Sequence, residues 1–121
     1  MAFPATYNIN YYKGDTLEFS IFPKLANGDS FNLSDYDDSD FTISTQRGTA
    51  GIANQIQCAA SIINGGTEVK CAIRPNDSLE LQPGTTYVYD VQVTKTQSPY
   101  DMVYTLLTGT ITVTDQVTGA V

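Results

Sequence analysis

The stretch that most restricts what this chain can become is Pro83-Gly84-Thr85-Thr86-Tyr87-Val88-Tyr89-Asp90-Val91-Gln92-Val93. Proline presets φ for a turn, and the glycine after it accepts a positive φ at no steric cost. Beyond that turn Tyr87, Tyr89, Val91 and Val93 recur at every second place, so one face of an extended strand collects them. Tyrosine suits such a half-buried face, because the ring packs while the hydroxyl reaches a polar partner. The spacing predicts a central strand from about Thr85 to Thr96.

The same period of two recurs along the chain. Thr6 to Tyr12 places Tyr7, Ile9 and Tyr11 on one face, and Lys13-Gly14-Asp15 reads as a tight turn. Thr16 to Phe22 alternates Leu17, Phe19 and Ile21 with Glu18 and Ser20, and Pro23 ends that strand or marks a sheet edge. Residues 24 to 40 form the longest loop-like region, with Asn27-Gly28-Asp29 and the acidic run Asp35 to Asp40, pinned by Phe31 and Leu33. A third strand spans Phe41 to Thr45, and residues 47 to 51 lead away from it.

Asn64-Gly65 between two apolar-alternating runs is the strongest short-range hairpin signal. With a two-residue turn there, residues whose numbers sum to 129 lie opposite one another. Ile62 then faces Thr67, Ala60 faces Val69, Cys58 faces Cys71, and Ile56 faces Ile73. The apolar members share one face, and a slip of one residue would destroy that match. Arg74 to Asp77 reads as a turn, with Leu79 and Leu81 plugging the next connection. Residues 97 to 101 read as a hairpin loop. Met102 to Thr114 is the last strand, with Val103, Thr105, Leu107, Gly109, Ile111 and Val113 on one face. Gly109 inside it marks a bulge or a close backbone approach.

Seven short strands without a convincing helix predict an all-β chain, most simply one antiparallel two-sheet Ig-like β-sandwich domain over residues 1–121. A jelly roll or small barrel is the alternative. Residues 1–5 and 115–121 read as loose ends. At 121 residues and 41% apolar the chain can bury a core without covalent staples. The Cys-Trp-Cys signature of antibody domains is missing, since there is no Trp and both cysteines fall in one hairpin.

The residue types bear on chemistry mainly by what they lack. With no histidine, the usual base for a Ser or Cys nucleophile is missing, so no catalytic residue is expected. Cys58 and Cys71, placed opposite each other, could be bridged or could be two reduced core thiols. Neither cofactor-binding nor metal-binding residues are assigned. Asp35, Asp37, Asp38 and Asp40 invite a calcium reading. An EF-hand loop begun at Asp35 would need Gly and Glu where Asp40 and Gln46 stand, so a solvated acidic loop is the simpler account. Asp90 is the one acid in a strongly apolar strand, on the face opposite Tyr89 and Val91, and a structural hydrogen bond explains it most simply. The net charge of -7 repels phosphate backbones, so nucleic acid is not an expected partner. The first residues show neither a basic nor an apolar leader pattern, and no apolar run has the length of a membrane helix.

Gly14-Asp15-Thr16 with Leu17-Glu18-Phe19, Asn32-Leu33-Ser34 before Phe41-Thr42-Ile43, Leu81-Gln82-Pro83-Gly84 with Tyr87 to Val93, and Leu106 through Gly109 to Thr114 followed by Asp115-Gln116-Val117-Thr118 occur in this order along the chain. Taken together these stretches resemble the N-terminal domain family of phage baseplate upper proteins and related small virion proteins. The resemblance implies an Ig-like sandwich that builds tail, baseplate or fibre assemblies and performs no reaction. The expected role is thus a tail/baseplate or head-tail adaptor subunit of a bacteriophage virion, synthesised in the host cytoplasm. Its partners would be other virion proteins and copies of itself, with no nucleic acid and no membrane. A capsid decoration protein is the close alternative. Expected contact regions are the first and last few residues, residues 24 to 40 and residues 97 to 101. A carbohydrate-binding module is a further reading, and it would need Tyr12, Tyr36, Tyr100 and Tyr104 gathered on one surface.

Overall fold

The computed structural model describes residues 5–48 and 55–115, and everything below concerns these. The described residues are all-β. Eight strands follow in chain order: β1 (Ala5–Thr6), β2 (Ile9–Tyr12), β3 (Leu17–Ile21), β4 (Asp38–Ser44), β5 (Ile56–Ile63), β6 (Glu68–Ile73), β7 (Thr86–Lys95) and β8 (Met102–Thr114). A single 3-10 turn at Asp77–Glu80 and a left-handed turn at Asn64–Gly66 are the only helical pieces among them. The expected loose ends at residues 1–4 and 116–121 lie outside the described residues. Ala5 is paired, opposite Leu107 in β8.

The strands hydrogen-bond in one continuous order, β1-β8-β7-β4-β5-β6-β3, with β2 also beside β8. This is a curled half-barrel and not two separate sheets. The curl arises at β5, which changes partner along its length. Ile56 to Cys58 pair with β4, whereas Ala59 to Ile63 pair with β6. A strand shared in this way turns the sheet over and brings β3 and β6 to face β4 and β7. Phe19 of β3 meets Phe41 of β4 edge-to-face, ring centroids 5.4 Å apart.

β7 takes the predicted central place, with β4 and β8 on its two sides. Its Tyr87, Tyr89, Val91 and Val93 are all buried. The turn before it forms as the sequence dictates, with Gly84 at φ +81° and the Thr85 amide donating to the Gln82 carbonyl. The predicted first strand is broken at Tyr7 and Asn8, which is why eight strands appear where seven were expected. Both pieces run parallel to β8, Ile9 beside Ile111.

Three expectations need correction. The hairpin of β5 and β6 has residues summing to 131 opposite one another, as in Ile62 with Val69 and Ala60 with Cys71. Asn64, Gly65 and Gly66 all adopt positive φ, which lengthens the loop beyond a two-residue turn. Moving the sum by two preserves parity, so each side chain keeps its predicted face. Cys58 and Cys71 are therefore not opposite each other: Cys58 faces Phe41, and Cys71 lies between Ala60 and Phe19. Both are free thiols.

The second correction concerns β8. Val91 pairs with Leu107 but Gln92 pairs with Thr105, so Leu106 is an extra residue in a bulge. The bulge flips the inward face. Leu107, Gly109, Ile111 and Val113 point inward beyond it, whereas Leu106 does so at the bulge and Val103 is exposed. Gly109, farther along the same strand, marks a close backbone approach.

Third, the acidic run is partly strand. β4 begins at Asp38, three residues before the predicted start, because Asp38 to Asp40 find partners in Thr94 to Gln92 of β7. Of the plug at 79–81, only Leu81 is buried, and Leu79 is exposed. The pins of the long loop behave as expected. Leu33 is fully buried, and Phe31 forms an edge-to-face cluster with Tyr36 and Tyr104.

Candidate functional site

An unclosed sheet has two ends, and here they lie at β1 and β3. Each residue of β3 has a partner in β6 on one side, and no strand among the described residues pairs with its other side. Leu17, Phe19 and Ile21 point inward, as their alternation dictates. Their cross-strand partners Ile73, Cys71 and Val69 are fully buried, yet these three are only half-buried. Among the described residues the apolar layer is thus left half-open at β3.

The uncovered part forms a furrow of ≈ 450 Å³ lined by Tyr7, Phe19, Ser20, Ile21, Phe22 and Leu107. Tyr7 is 49% and Phe22 56% exposed, large values for such rings, and they stand on its rim. The furrow continues into the core through a ring series: Tyr7 on Phe19 at 6.0 Å, Phe19 on Phe41, and Phe41 on Tyr89 at 5.6 Å. Tyr89 closes the series by donating its hydroxyl to the Tyr7 carbonyl. The outward face of β3 is polar. Glu18 pairs with Lys70 at 3.3 Å, and Ser20 donates to Glu68. An edge that no strand pairs with among the described residues, beside a half-open apolar layer, is suited to receive another strand.

A second concavity, of ≈ 190 Å³, lies on the outer face of β4 and β7, among Thr42, Ser44, Arg47, Asp90 and Gln92. Asp90 stands opposite Thr42 and Thr108 on this face. Partial burial raises the Asp90 carboxyl above the usual range, the Arg47 guanidinium opposes that rise, and Asp40 adds to it. Arg47 also donates to the Gly109 carbonyl at 3.1 Å. The recess offers hydrogen-bonding groups and little apolar floor.

The acidic run is not assembled into one cluster. Asp37 accepts from the Thr96 amide and hydroxyl, both at 2.8 Å, and these bonds hold its carboxyl below the ordinary range. Asp38 and Asp40 lie on the outer face of β4. Among the described residues no three of His, Cys, Asp and Glu come together closely enough to hold a metal ion. Of the four tyrosines considered for sugar stacking, only Tyr36 and Tyr104 are shown to meet, at 6.4 Å. Tyr36 and Tyr104 are half-buried in the Phe31 cluster. Tyr12 pairs near the end of β8 and Tyr100 precedes its start, roughly 40 Å apart along the strand.

Of the contact regions expected from sequence, residues 97 to 101 are exposed, and so is most of 24 to 40, although Leu33 anchors that loop in the core. The β3 furrow was not among them. Ile21 beside Phe22 just before Pro23, which puts apolar residues on both faces at a strand end, is the signal that marks it. No helix of the described residues is long and apolar enough to cross a membrane. No family model matches the chain, and no curated protein matches it.

Proposed function

We propose that this chain is a non-enzymatic structural subunit of a bacteriophage virion, of the tail/baseplate or head-tail adaptor kind, acting by protein-protein docking. The observation that carries the reading is β3, a sheet edge whose inward residues stay half-buried beside fully buried partners. An apolar layer left open at an edge is completed when another chain supplies the missing strand. The resemblance of the Gly14-to-Phe19, Leu81-to-Val93 and Leu106-to-Thr118 stretches to baseplate upper protein domains supplies the setting. In this reading the curled sheet is an opened form of the Ig-like sandwich, with Phe19 and Phe41 meeting where its two layers would face. Other virion proteins and further copies of the chain are its partners, and the assembled particle is its location.

The test is peptide mass spectrometry and immunogold negative-stain imaging of particles from the host that carries this gene. The chain at fixed stoichiometry and at one place on the tail or baseplate is the expected result. Label spread over the capsid surface would make it a decoration protein instead. Absence from the particles, with no addition of purified chain to them, would overturn the virion reading.

A further inference from the structure

We propose that the strand completing this edge is β3 of a second copy, paired antiparallel across a two-fold axis at Phe19. The proposal rests on the reading of β3 as a docking edge and names its occupant. Self-pairing in this register sets residues whose numbers sum to 38 opposite one another. Leu17 then faces Ile21 of the second copy, Phe19 faces its own counterpart, and Glu18 faces Ser20 of the second copy.

The apolar matches are favourable on their own terms. Leu17, Phe19 and Ile21 are the half-buried inward residues, so the apolar layer of one copy continues into that of the other. On the outward face Glu18 stands opposite Ser20, whose hydroxyl is already donated to Glu68 of its own copy, and no two like charges stand directly opposite each other. The strand also lacks the devices that keep an edge solitary. It contains no proline and no lysine, and its one charge already has an ion-pair partner in Lys70 on the strand behind. Pro23 lies beyond the paired segment. A two-fold interface must be self-complementary, and this five-residue edge meets that condition. Each copy carries a net charge of -7, so long-range repulsion opposes the encounter and salt relieves it.

Sedimentation velocity on the untagged chain, from low micromolar to about 100 µM, tests the pairing. A concentration-dependent dimer that tightens with added salt is expected. Ser20→Glu sets two carboxylates opposite each other twice per dimer and should weaken association ~10-fold or more. The double variant Glu18→Lys/Ser20→Glu should recover it. Ser20→Lys, whose ammonium meets Glu18 of the second copy, should dimerise at least as well as the parent, and it serves if Ser20→Glu fails to fold by circular dichroism. A monomer throughout the range, or a dimer indifferent to Ser20→Glu and the double variant, overturns the pairing. A monomer that still adds to particles would overturn this pairing and leave the virion reading standing. A salt-dependent β3 dimer absent from particles would do the reverse.

Discussion

The carbonyl oxygen of Tyr7 occupies the place where a side chain on Gly109 would begin. A Cβ at Gly109 would lie 2.1 Å from that oxygen, far inside any real contact. The same oxygen accepts the Tyr89 hydroxyl, and the Gly109 carbonyl accepts from Arg47. Gly109 is thus where the break between β1 and β2 is pressed against β8.

Gly109→Ala should therefore be among the most disruptive single substitutions. The obstacle is backbone, which cannot rotate aside, so β1 would have to lift from β8. A loss of about 3 kcal/mol or more is expected in urea unfolding. A loss below about 1 kcal/mol would show that the approach is looser than drawn.

Gly66→Ala should act at a distance. Gly66 has φ +91°, and a Cβ there would sit 2.3 Å from the Ser34 amide nitrogen. The Gly66 carbonyl also accepts from the Leu33 amide at 2.8 Å. The substitution should cost about 2–3 kcal/mol and raise hydrogen exchange at the Leu33 amide as well as in the hairpin. Exchange raised in the hairpin alone would contradict the link.

The two cysteines should behave as buried thiols. Burial pushes both up to about 12. At pH 8 an alkylating reagent should modify neither appreciably in the folded chain and both after denaturation without reductant. Folded stability should also fall as pH rises from about 8.5 toward 12. The sign follows because the unfolded chain releases these protons first and so binds fewer of them in that range. Finding no thiols after denaturation would refute the free state.

Asp90→Asn should stabilise the chain slightly at pH 7. Burial, the largest influence, raises the carboxyl, so the folded chain holds its proton more tightly than the unfolded chain does. Its contribution is fully present below the ordinary carboxylate range and is lost as pH rises through the folded value. Parent and variant should melt alike near pH 3, and the variant should melt higher at pH 7. The gain is below about 1 kcal/mol, since half-exposure and Arg47 screen the charge. A variant less stable at pH 7 would show that the Arg47 attraction dominates.

Alternation was legible wherever one face meets the core, since period two decides the side whatever the neighbours do. β7, the Gly84 turn and the limits of β8 could be read for that reason. The hairpin register could not, because Asn64-Gly65 signals a turn and Gly66 looks like a pairing residue until Ser34 is beside it. The Leu106 bulge was hidden for a similar reason: Leu106 and Leu107 are both apolar, and only the pairing with Val91 and Gln92 shows where the face flips. Apart from the Ile21-Phe22 pair at its rim, the furrow belongs to tertiary structure. Phe19 reads as an ordinary core residue, and that its edge has no neighbour follows from the way β5 divides its pairing.

The parallel pairing of β2 with β8 bears on how the molecule comes into being. Ile9 lies beside Ile111, so a strand made early must wait for one made much later. On the ribosome β2 emerges with nothing to pair with, while β4, β5 and β6 can begin to associate as neighbours. Closure of the core consequently waits until β8 has been made. Its rate is set by a search between distant segments, and it should be slow beside that of a helical bundle of equal length.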